Sequence, residues 1–557
     1  MTSTQTGFAK WGGIPRPAHC LLAANLLVLL LLQLWRPFFF LTNDNLCYFQ
    51  PVMAEIGRRL AHFQNPFYND YIFGGGYCLL RDPSFINCWH PVLLLISLLA
   101  SAGLERWIVE LWGSFLLIVQ SLGFYFCALE AQKRWVGAVS PCWSALLSLS
   151  WTYGVYQLLI GSSWVLYLAN TSALPWLLYG LLCRDTKIGI AVFVLAELHA
   201  CMGGHPGPFL FENFAVLLLA LGLSVAERDI VPAARCFGSL ALAFIILLPF
   251  VLPFLSGFAH ATRADGLSAS MLQEGKIPFW HVPLSWFLGG LSALDGAPLA
   301  VGGPQADACG LLFCPAAFCL LLCRPASWTG KTICLALFIA FAFVLLVRPA
   351  PVQHLFSSLP VFRSLRWPFK EGFLLLFGLH LWMSIYGMRI FWKKAVLYFG
   401  IGMIVFCGTL FSSPAPTIQP LNADRNFYLS GKAESFWQLA RQLQAPGEYF
   451  AAVLPFRNPR DDEASILLGS CNYGSLFRVP CAIGYSLTRA NASNRFGPQP
   501  FYMGFYEEQL SGLQHREQLI FLSFDKPGNT SVLVRKAGGR NYRITWQDQA
   551  WRLSEIP

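Results

Sequence analysis

Long apolar blocks separated by short polar connections dominate the chain from Leu21 to about Leu410. Each block holds about 15–24 residues, and roughly 20 apolar residues suffice for a helix to cross the hydrocarbon core of a bilayer. The pattern therefore predicts a polytopic α-helical membrane protein with about eleven transmembrane helices. The predicted spans are 20–41, 107–129, 137–158, 166–183, 188–202, 208–226, 233–256, 309–323, 331–348, 370–388 and 395–412.

The composition becomes that of an ordinary globular protein after the last apolar block. We therefore divide the chain into a transmembrane domain, 1–412, and a soluble domain, 413–557. In the soluble part Glu434 to Gln444 has helical spacing, whereas Leu519 to Phe524 and Thr530 to Arg535 alternate as strands do. These patterns predict a C-terminal α/β domain.

Charge is scarce and unevenly placed: 12% of the residues are charged, against roughly 25% in an average soluble domain. The formal net charge is +10, but Lys and Arg lie in every second short loop between the spans, all on one side of the membrane, which argues against a nucleic-acid partner. The opposite short loops, Gly161 to Ala169 and Gly203 to Gly207, contain neither. The positive-inside rule then predicts a cytoplasmic N-terminus and an extracytoplasmic, periplasmic C-terminal domain, as in a protein of the bacterial inner membrane.

Three connections on the predicted outer side are long: 42–106, 257–308 and 349–369. We expect them to pack together over the outer mouth of the helix bundle, since long loops in compact domains are often functional. Within the first of them Pro91 to Gly103 is apolar but too short for a comfortable span. It fits an interfacial or re-entrant helix better.

Cysteine is abundant, with 17 residues, but no CxxC pair occurs. The spacing therefore predicts neither a zinc site nor a thioredoxin-type site. Most of the cysteines lie in apolar blocks, where they behave as small hydrophobic residues. Cys471 and Cys481, in the soluble domain, could form a disulfide on an oxidising side of the membrane.

The first long loop contains the residues that could carry chemistry. In order, it has Thr42-Asn43-Asp44-Asn45, Gln50-Pro51, Phe73-Gly74-Gly75-Gly76, Arg81-Asp82-Pro83 and Trp89-His90-Pro91. Asp44 directly follows a span, so it lies at the membrane interface, where a carboxylate can act as a general base on a hydroxyl nucleophile. The alternative is that Asp44 caps a helix or only solvates the interface.

Three stretches in this order resemble the YfhO-like membrane proteins, which belong to the GT-C superfamily of polyprenyl-phosphate-sugar glycosyltransferases. The first stretch is the loop just described. The second, 203–207, reads GGHPG and is similar to the family's GGHPQ hairpin tip, with Gly207 in place of Gln. The third, 359–370, reads LPVFRSLRWPFK and is similar to an LP...RWPxR segment, with Lys370 in place of Arg. The resemblance covers about 20–412 and leaves the soluble domain unmatched.

The resemblance implies a GT-C-like fold and an inverting transfer of a sugar from a polyprenyl phosphate to an acceptor hydroxyl. Asp44 would be the catalytic base, and Asp82 a second acidic residue for sugar hydroxyls or for a divalent cation. Arg363, Arg366 and Lys370 would bind the lipid phosphate, because Arg binds phosphate in a planar bidentate manner and Lys as a point charge. The alternative for these three is a membrane anchor whose side chains snorkel to lipid headgroups.

Further polar residues are candidates for substrate binding. Ionisable groups inside a membrane face a cavity or a partner, and the hairpin of the fifth and sixth predicted spans has several. We expect its tip to line the substrate cavity, and His199 to pair structurally. The remaining substrate-binding candidates are Gln50, His90, Glu197, His205 and Glu212.

The resemblance implies a glycosyltransferase on the outer face of the membrane, with a polyprenyl-phosphate sugar, the bilayer and a glycan or protein acceptor as partners. A catalytically inactive accessory or assembly subunit of a membrane complex is an alternative, and the departures at Gly207 and Lys370 allow it. A transporter is a weaker alternative, because the chain shows no internal repeat and its polar groups gather at one face of the bilayer.

Overall fold

The structure of the protein is a computed structural model. It describes residues 16–42, 44–73, 75–259, 279–288, 316–359, 368–388, 428–454, 472–482, 513–524, 531–536 and 539–556, with a few shorter pieces between them.

Helices make up most of the described chain as far as residue 388. In chain order they are α1 (Arg16–Trp35), α2 (Gln50–Ala61), α3 (Pro91–Ala100), α4 (Ile108–Trp135), α5 (Pro141–Thr152), α6 (Val155–Ser163), α7 (Val165–Leu182), α8 (Thr186–Gly203), α9 (Pro206–Glu227), α10 (Val231–Ala259), α11 (His281–Leu288), α12 (Gly330–Val347), α13 (Ala350–Ser358) and α14 (Gly372–Tyr386). Within the described residues seven are long and apolar enough to cross a membrane: α1, α4, α7, α8, α9, α10 and α12. The protein is thus a multi-pass helical membrane protein, as predicted.

These seven helices coincide with seven of the eleven predicted spans. The predicted span 370–388 is the shorter helix α14, of 15 residues. The structure describes residues 316–323 of the predicted span 309–323, where Ala317–Leu322 form a short 3₁₀-helix. Most of the predicted span 395–412 lies outside the described residues, so the total of eleven stays a prediction. The apolar stretch from Pro91 to Gly103 is the 10-residue helix α3.

The predicted span 137–158 is interrupted in the structure, where α5 and α6 replace a single helix. Gly154 is the reason, because its backbone is extended, with φ −64° and ψ 160°, and glycine has low helix propensity. A Cβ at this position would lie only 3.2 Å from the carbonyl oxygen of Ser150. The break redirects the chain so that α6 ends beside the first long loop, at Trp164.

The two ends of the helix bundle differ in their charged residues. At one end α4, α7, α9, α10 and α12 meet through Arg134, Glu227, Lys331 and Arg235. We call this end the basic face. At the other end lie the first long loop, the tip between α8 and α9, and the C-terminus of α12. We call this end the loop face. The contacts thus separate the two sets of connections as the loop charges predicted.

The C-terminal domain has a helix, α15 (Lys432–Arg441), a short helix, α16 (Tyr473–Phe477), and a mixed sheet. The sheet consists of β3 (Tyr449–Leu454), β4 (Phe505–Tyr506), β5 (Leu519–Phe524), β6 (Ser531–Lys536), β7 (Asn541–Gln547) and β8 (Ala550–Ile556), in the order β4-β3-β5-β6-β7-β8. Strand β3 is parallel to β4 and β5, and the later pairs are antiparallel. A separate two-stranded ladder, β1 (Tyr68–Asn69) and β2 (Tyr77–Cys78), lies in the first loop.

The strand predicted at Leu519 to Phe524 has the same bounds as β5, and the strand predicted at Thr530 to Arg535 is β6, one residue later. The predicted helix Glu434 to Gln444 is α15. The predicted domain boundary near residue 412 lies outside the described residues, as does Cys471.

The C-terminal domain packs on the first loop within one hydrophobic core. Buried Phe49 and Ile72 of the loop and buried Trp437 and Phe450 of the domain belong to the same cluster. The approach of the two backbones is close, because a Cβ on Gly474 would lie 2.5 Å from the carbonyl oxygen of Tyr71. The domain therefore lies on the loop face.

Candidate active site

Asp44 begins a π-helical turn, Asn45–Phe49, that leads directly into α2. Pro51 explains the wide turn: it lacks an N–H, and its ring clashes with the carbonyl four residues back, so a regular α-helix cannot continue through it. The Asp44 side chain makes no capping hydrogen bond to this turn. Instead, one carboxylate oxygen of Asp44 accepts a 2.7 Å hydrogen bond from the indole nitrogen of Trp164. The helix-cap alternative for Asp44 is therefore not what the structure shows.

Buried polar side chains bring the Trp164 segment to the loop. The amide nitrogen of Asn45 donates to the carbonyl oxygens of Gly161 and Ser162, at 2.8 and 2.9 Å, and its amide oxygen accepts from the backbone N–H of Val165 at 2.7 Å. The Thr42 hydroxyl donates to the Ser162 carbonyl at 2.6 Å. These bonds join segments about 120 residues apart along the chain, and they fix Asp44 beside the indole.

Lys370, from the third motif, reaches the same indole. Its ammonium nitrogen lies 4.1 Å from the ring centroid of Trp164 and 4.6 Å from that of Tyr167. Such cation–π contacts stabilise an ammonium group that is largely removed from water, and Lys370 is buried. A carboxylate and an ammonium group therefore contact the same tryptophan, Asp44 at the indole nitrogen and Lys370 over the ring.

The hairpin tip adds His205 to this cluster. The imidazole ring of His205 stacks on the Tyr167 ring, with 4.8 Å between the centroids, while its Nδ1 accepts a 3.2 Å bond from the backbone N–H of Gly207. Asn170 accepts from the backbone N–H of His205 at 2.7 Å and donates to Glu212 at 3.3 Å. All three motifs thus meet around Trp164 and Tyr167.

Gly204 is required by close packing at this tip. A Cβ there would lie 2.6 Å from the side-chain amide of Asn170 and 2.4 Å from the carbonyl oxygen of Ala200. Any side chain would displace Asn170, and with it the bond that holds the backbone of His205.

Three buried carboxyl groups lie behind the tip, Glu197, Glu212 and Glu371, each at most 3% exposed. Glu197 accepts a 3.2 Å bond from Asn213, and Glu212 accepts the bond from Asn170. In each of the three carboxyls one oxygen has no hydrogen-bond partner among the described residues. Glu212 lies within electrostatic range of both other carboxyls. Buried polar atoms are normally satisfied, so these oxygens are suited to accept bonds from a ligand or from water.

Asp82 lies deeper in the first loop, where it is 3% exposed and accepts a 2.6 Å bond from the Tyr77 hydroxyl. Tyr48 lies within electrostatic range of both candidate acids. Burial raises the pKa of Tyr48 most, and the charges of Cys88, Asp82 and Asp44 raise it further. The Tyr48 hydroxyl therefore stays neutral.

Gln50 and His90 have structural contacts in the described residues. The Gln50 amide donates to the carbonyl oxygen of Glu105. His90 caps α3, because its Nδ1 accepts from the backbone N–H of Val92 at 3.3 Å, and its Nε2 lies 3.0 Å from Nδ1 of His199. With Nδ1 accepting, Nε2–H of His90 is the donor of that second bond.

The hydrogen bonds continue from His90 through His199 to Ser172. Since Nδ1 of His199 accepts from His90, its Nε2–H donates to the hydroxyl of Ser172 at 2.7 Å, and Ser172 donates to the carbonyl of Ala169 at 2.9 Å. The structural pairing expected for His199 is therefore present. Burial lowers the pKa of His90 to about 4, which agrees with a neutral imidazole.

Arg363 and Arg366 lie outside the described residues, so Lys370 is the member of the basic cluster that the structure describes. Sequence reasoning missed Trp164, Tyr167, Asn45 and Asn170. A usable signal existed, since Trp164 and Tyr167 lie in the short connection Gly161 to Ala169, which lacks Lys and Arg, and Asn170 directly follows it. Among the described residues, no group of three or more His, Cys, Asp or Glu side chains could hold a metal ion. The divalent cation stays a prediction.

No protein-family model and no curated protein matches the chain. Among solved structures, the crystal structure of ArnT from Cupriavidus metallidurans bound to undecaprenyl phosphate aligns with 93% of this chain and 97% of that chain. The identity is 13% and the TM-score 0.48. A likeness at this level carries no argument about activity.

Proposed function

We propose that the protein is a membrane glycosyltransferase that uses a polyprenyl-phosphate sugar. The observation that carries the proposal is that an acid, Asp44, and a cation, Lys370, contact the same side chain, Trp164, at its indole nitrogen and over its ring. These residues come from the first and third motifs of the resemblance, and His205 of the second motif stacks beside them through Tyr167.

The chemistry follows from the two charges. The Asp44 carboxylate takes the proton from an acceptor hydroxyl, whose oxygen attacks the anomeric carbon of the sugar from the face opposite the phosphate. The bond from that carbon to the phosphate oxygen breaks with its electron pair, so the configuration inverts and a polyprenyl phosphate leaves. Lys370 stabilises the charge that develops on the leaving phosphate. The aromatic rings beside it suit the apolar faces of a sugar.

The orientation belongs to the same proposal. The first loop and the C-terminal domain share the loop face, and the positive-inside rule puts the basic face in the cytoplasm. The transfer would then take place on the outer, periplasmic face of the inner membrane. A reporter that is active only in the cytoplasm, fused after Pro557, should stay silent, and a strong signal would reverse the orientation.

The decisive experiment replaces Asp44 with Asn in the full-length protein in nanodiscs. Release of undecaprenyl phosphate from a panel of undecaprenyl-phosphate hexoses and pentoses is measured, with membrane glycans as acceptors. Loss of a general base typically slows a reaction about 10²- to 10⁴-fold. Asp70→Asn is the matched control: it removes an acid of the same loop that pairs with Arg59 and whose side chain is 59% exposed.

Each outcome separates the proposed function from the alternatives. Release by the wild type and by Asp70→Asn, with loss in Asp44→Asn, supports the transferase. Activity of Asp44→Asn within a few-fold of wild type removes Asp44 from the mechanism. A wild-type protein that releases nothing and co-purifies with unrelated membrane subunits is the result expected for an accessory subunit.

A further inference from the structure

Asn472 of the C-terminal domain makes two hydrogen bonds to the turn that begins next to Asp44. The backbone N–H of Asn472 donates to the carbonyl oxygen of Cys47 at 3.1 Å, and its side-chain amide donates to the carbonyl oxygen of Tyr48 at 3.2 Å. Cys47 and Tyr48 lie inside the π-helical turn that begins next to Asp44. Asn472 itself is fully buried.

The local sequence explains why the turn needs these donors. In an α-helix the N–H of residue 51 would bond to the carbonyl of residue 47, but residue 51 is proline and has no N–H. The backbone N–H of Asn472 supplies a donor to that carbonyl from another domain. A buried hydrogen bond to the backbone carbonyl of a turn favours the conformation in which it forms, so this contact stabilises the wide form of the turn.

The side chain of Asn472 gives up its usual role to make this contact. Asn472 occupies the N-cap position of α16, where asparagine normally accepts a bond from the first turn of its own helix. Here it makes no capping bond and reaches the carbonyl of Tyr48 instead. Asp44 likewise begins a turn that its side chain does not cap. The Asn472 side chain thus bonds the first loop rather than its own helix.

We infer that Asn472 is a positioning residue for Asp44. It holds the π-helical turn from the C-terminal domain, while Trp164 holds the carboxylate from the membrane domain. The inference rests on the proposed function as far as catalysis is concerned. The structural part, the stabilisation of the turn by Asn472, can be measured without any substrate.

The test compares Asn472→Ala with Ser475→Ala in the full-length protein. Ser475 is the matched control, because it belongs to the same interface but bonds Asn69 of the first loop, at 2.8 Å, rather than the turn. Asn472→Ala removes only the side-chain bond and leaves the backbone N–H in place. Hydrogen exchange of peptides covering 44–50 is the first measurement, and kcat and KM for an undecaprenyl-phosphate sugar are the second.

We expect Asn472→Ala to speed exchange in 44–50 by about tenfold and to lower kcat by about tenfold to a hundredfold, since small misplacements of a catalytic group are costly. KM for the donor should change little. The pH dependence of kcat should shift, and a general loss of stability would not cause such a shift. Ser475→Ala should match the wild type in both measurements. Asn472→Asp places an acceptor against the Tyr48 carbonyl. It should therefore speed exchange in 44–50 and lower kcat more than Asn472→Ala does.

Two results would overturn the inference. One is equal exchange of 44–50 in the wild type and Asn472→Ala. The other is an equal fall of kcat in Asn472→Ala and Ser475→Ala, which would indicate general loosening of the interface. Failure of the proposed function is distinguishable, because the wild type then transfers no sugar while the exchange measurement still decides whether Asn472 holds the turn.

Discussion

The two faces of the helix bundle use their charged residues in opposite ways. On the basic face Glu227 pairs with both Arg134 and Lys331. Arg235 donates to three carbonyl oxygens at the end of α7, those of Gly180, Leu181 and Cys183. Arg235 thus satisfies carbonyls that a helix end leaves without partners.

On the loop face the buried acids are only half satisfied. Glu197, Glu212 and Glu371 each keep an oxygen without a hydrogen-bond partner in the described residues. Asp44 and Lys370 both contact Trp164, one at its edge and the other over its ring. Because an unsatisfied buried carboxyl oxygen destabilises a fold, the three acids on the loop face fit our proposal that this face binds a ligand, whereas Glu227 on the basic face is paired with two cations.

The largest expected effect concerns the cation on the loop face. Lys370→Met should weaken binding of undecaprenyl phosphate by about 10- to 150-fold, because a bond to a charged group is worth roughly 1.5–3 kcal/mol. Lys370→Arg should restore part of the affinity. Native mass spectrometry of the protein in detergent measures the affinity for undecaprenyl phosphate. Lys331→Met, on the basic face, is the control, and equal losses in both variants would contradict the contrast between the faces.

Low pH should also destabilise the protein through a residue of the loop face. The pKa of His90 is lowered to about 4 by burial, against about 6.5 in an unfolded chain. Below pH 6.5 the unfolded state therefore binds a proton that the folded state does not, so stability falls as the pH drops from 6.5 towards 4. Between pH 7 and 5 the loss should be roughly 2 kcal/mol.

Thermal unfolding at a series of pH values measures this loss. His90→Asn is the informative variant, because its side-chain oxygen can still accept from the N–H of Val92 while the titrating group is gone. A fall of the same size in His90→Asn and in the wild type would show that other groups cause it.

A smaller effect is expected on the basic face. Glu227→Gln removes the charge that Arg134 and Lys331 share, and this partly buried network should lose roughly 1–2 kcal/mol of stability. The melting temperature in detergent should fall by a few degrees, with binding of undecaprenyl phosphate unchanged. Weakened lipid binding without a change in melting temperature would contradict the assignment of this face to stability.

The smallest effect is expected from Glu212→Gln. The amide oxygen can still accept the bond from Asn170, and the second oxygen of Glu212 has no partner to lose in the described residues. The free energy of unfolding should stay within about 0.5 kcal/mol of the wild-type value. The melting temperature should therefore change by less than it does for Glu227→Gln. A larger loss than in Glu227→Gln would show that the buried acid supports the fold.

Local patterns sufficed for much of the fold. Continuous apolar stretches identified seven helices, and the strand-like alternation of residues predicted β5 with its observed bounds. The interruption at Gly154 was missed, because one glycine in an apolar run does not reveal that its backbone packs against Ser150.

The candidate site was predictable only in part. Asp44, His205 and Lys370 stand out as polar residues next to spans. Trp164 does not, because tryptophan at a membrane interface is common, and its role depends on a contact with a residue 120 positions away. Asn472 lies in the part of the chain that the family resemblance leaves unmatched, so no motif pointed to it.

The bond between Asn472 and Tyr48 joins residues that are 424 positions apart in the chain, and this distance has a consequence for biogenesis. At 5–20 residues per second a ribosome needs roughly 20–80 s to synthesise the intervening chain. Throughout that time the turn beside Asp44 has already left the ribosome but lacks the bonds from Asn472. The contact can form only after the last domain has been translated and folded. A chain whose synthesis stops before residue 472 would therefore have its membrane-spanning helices, but the turn of its candidate site would lack the bonds from Asn472.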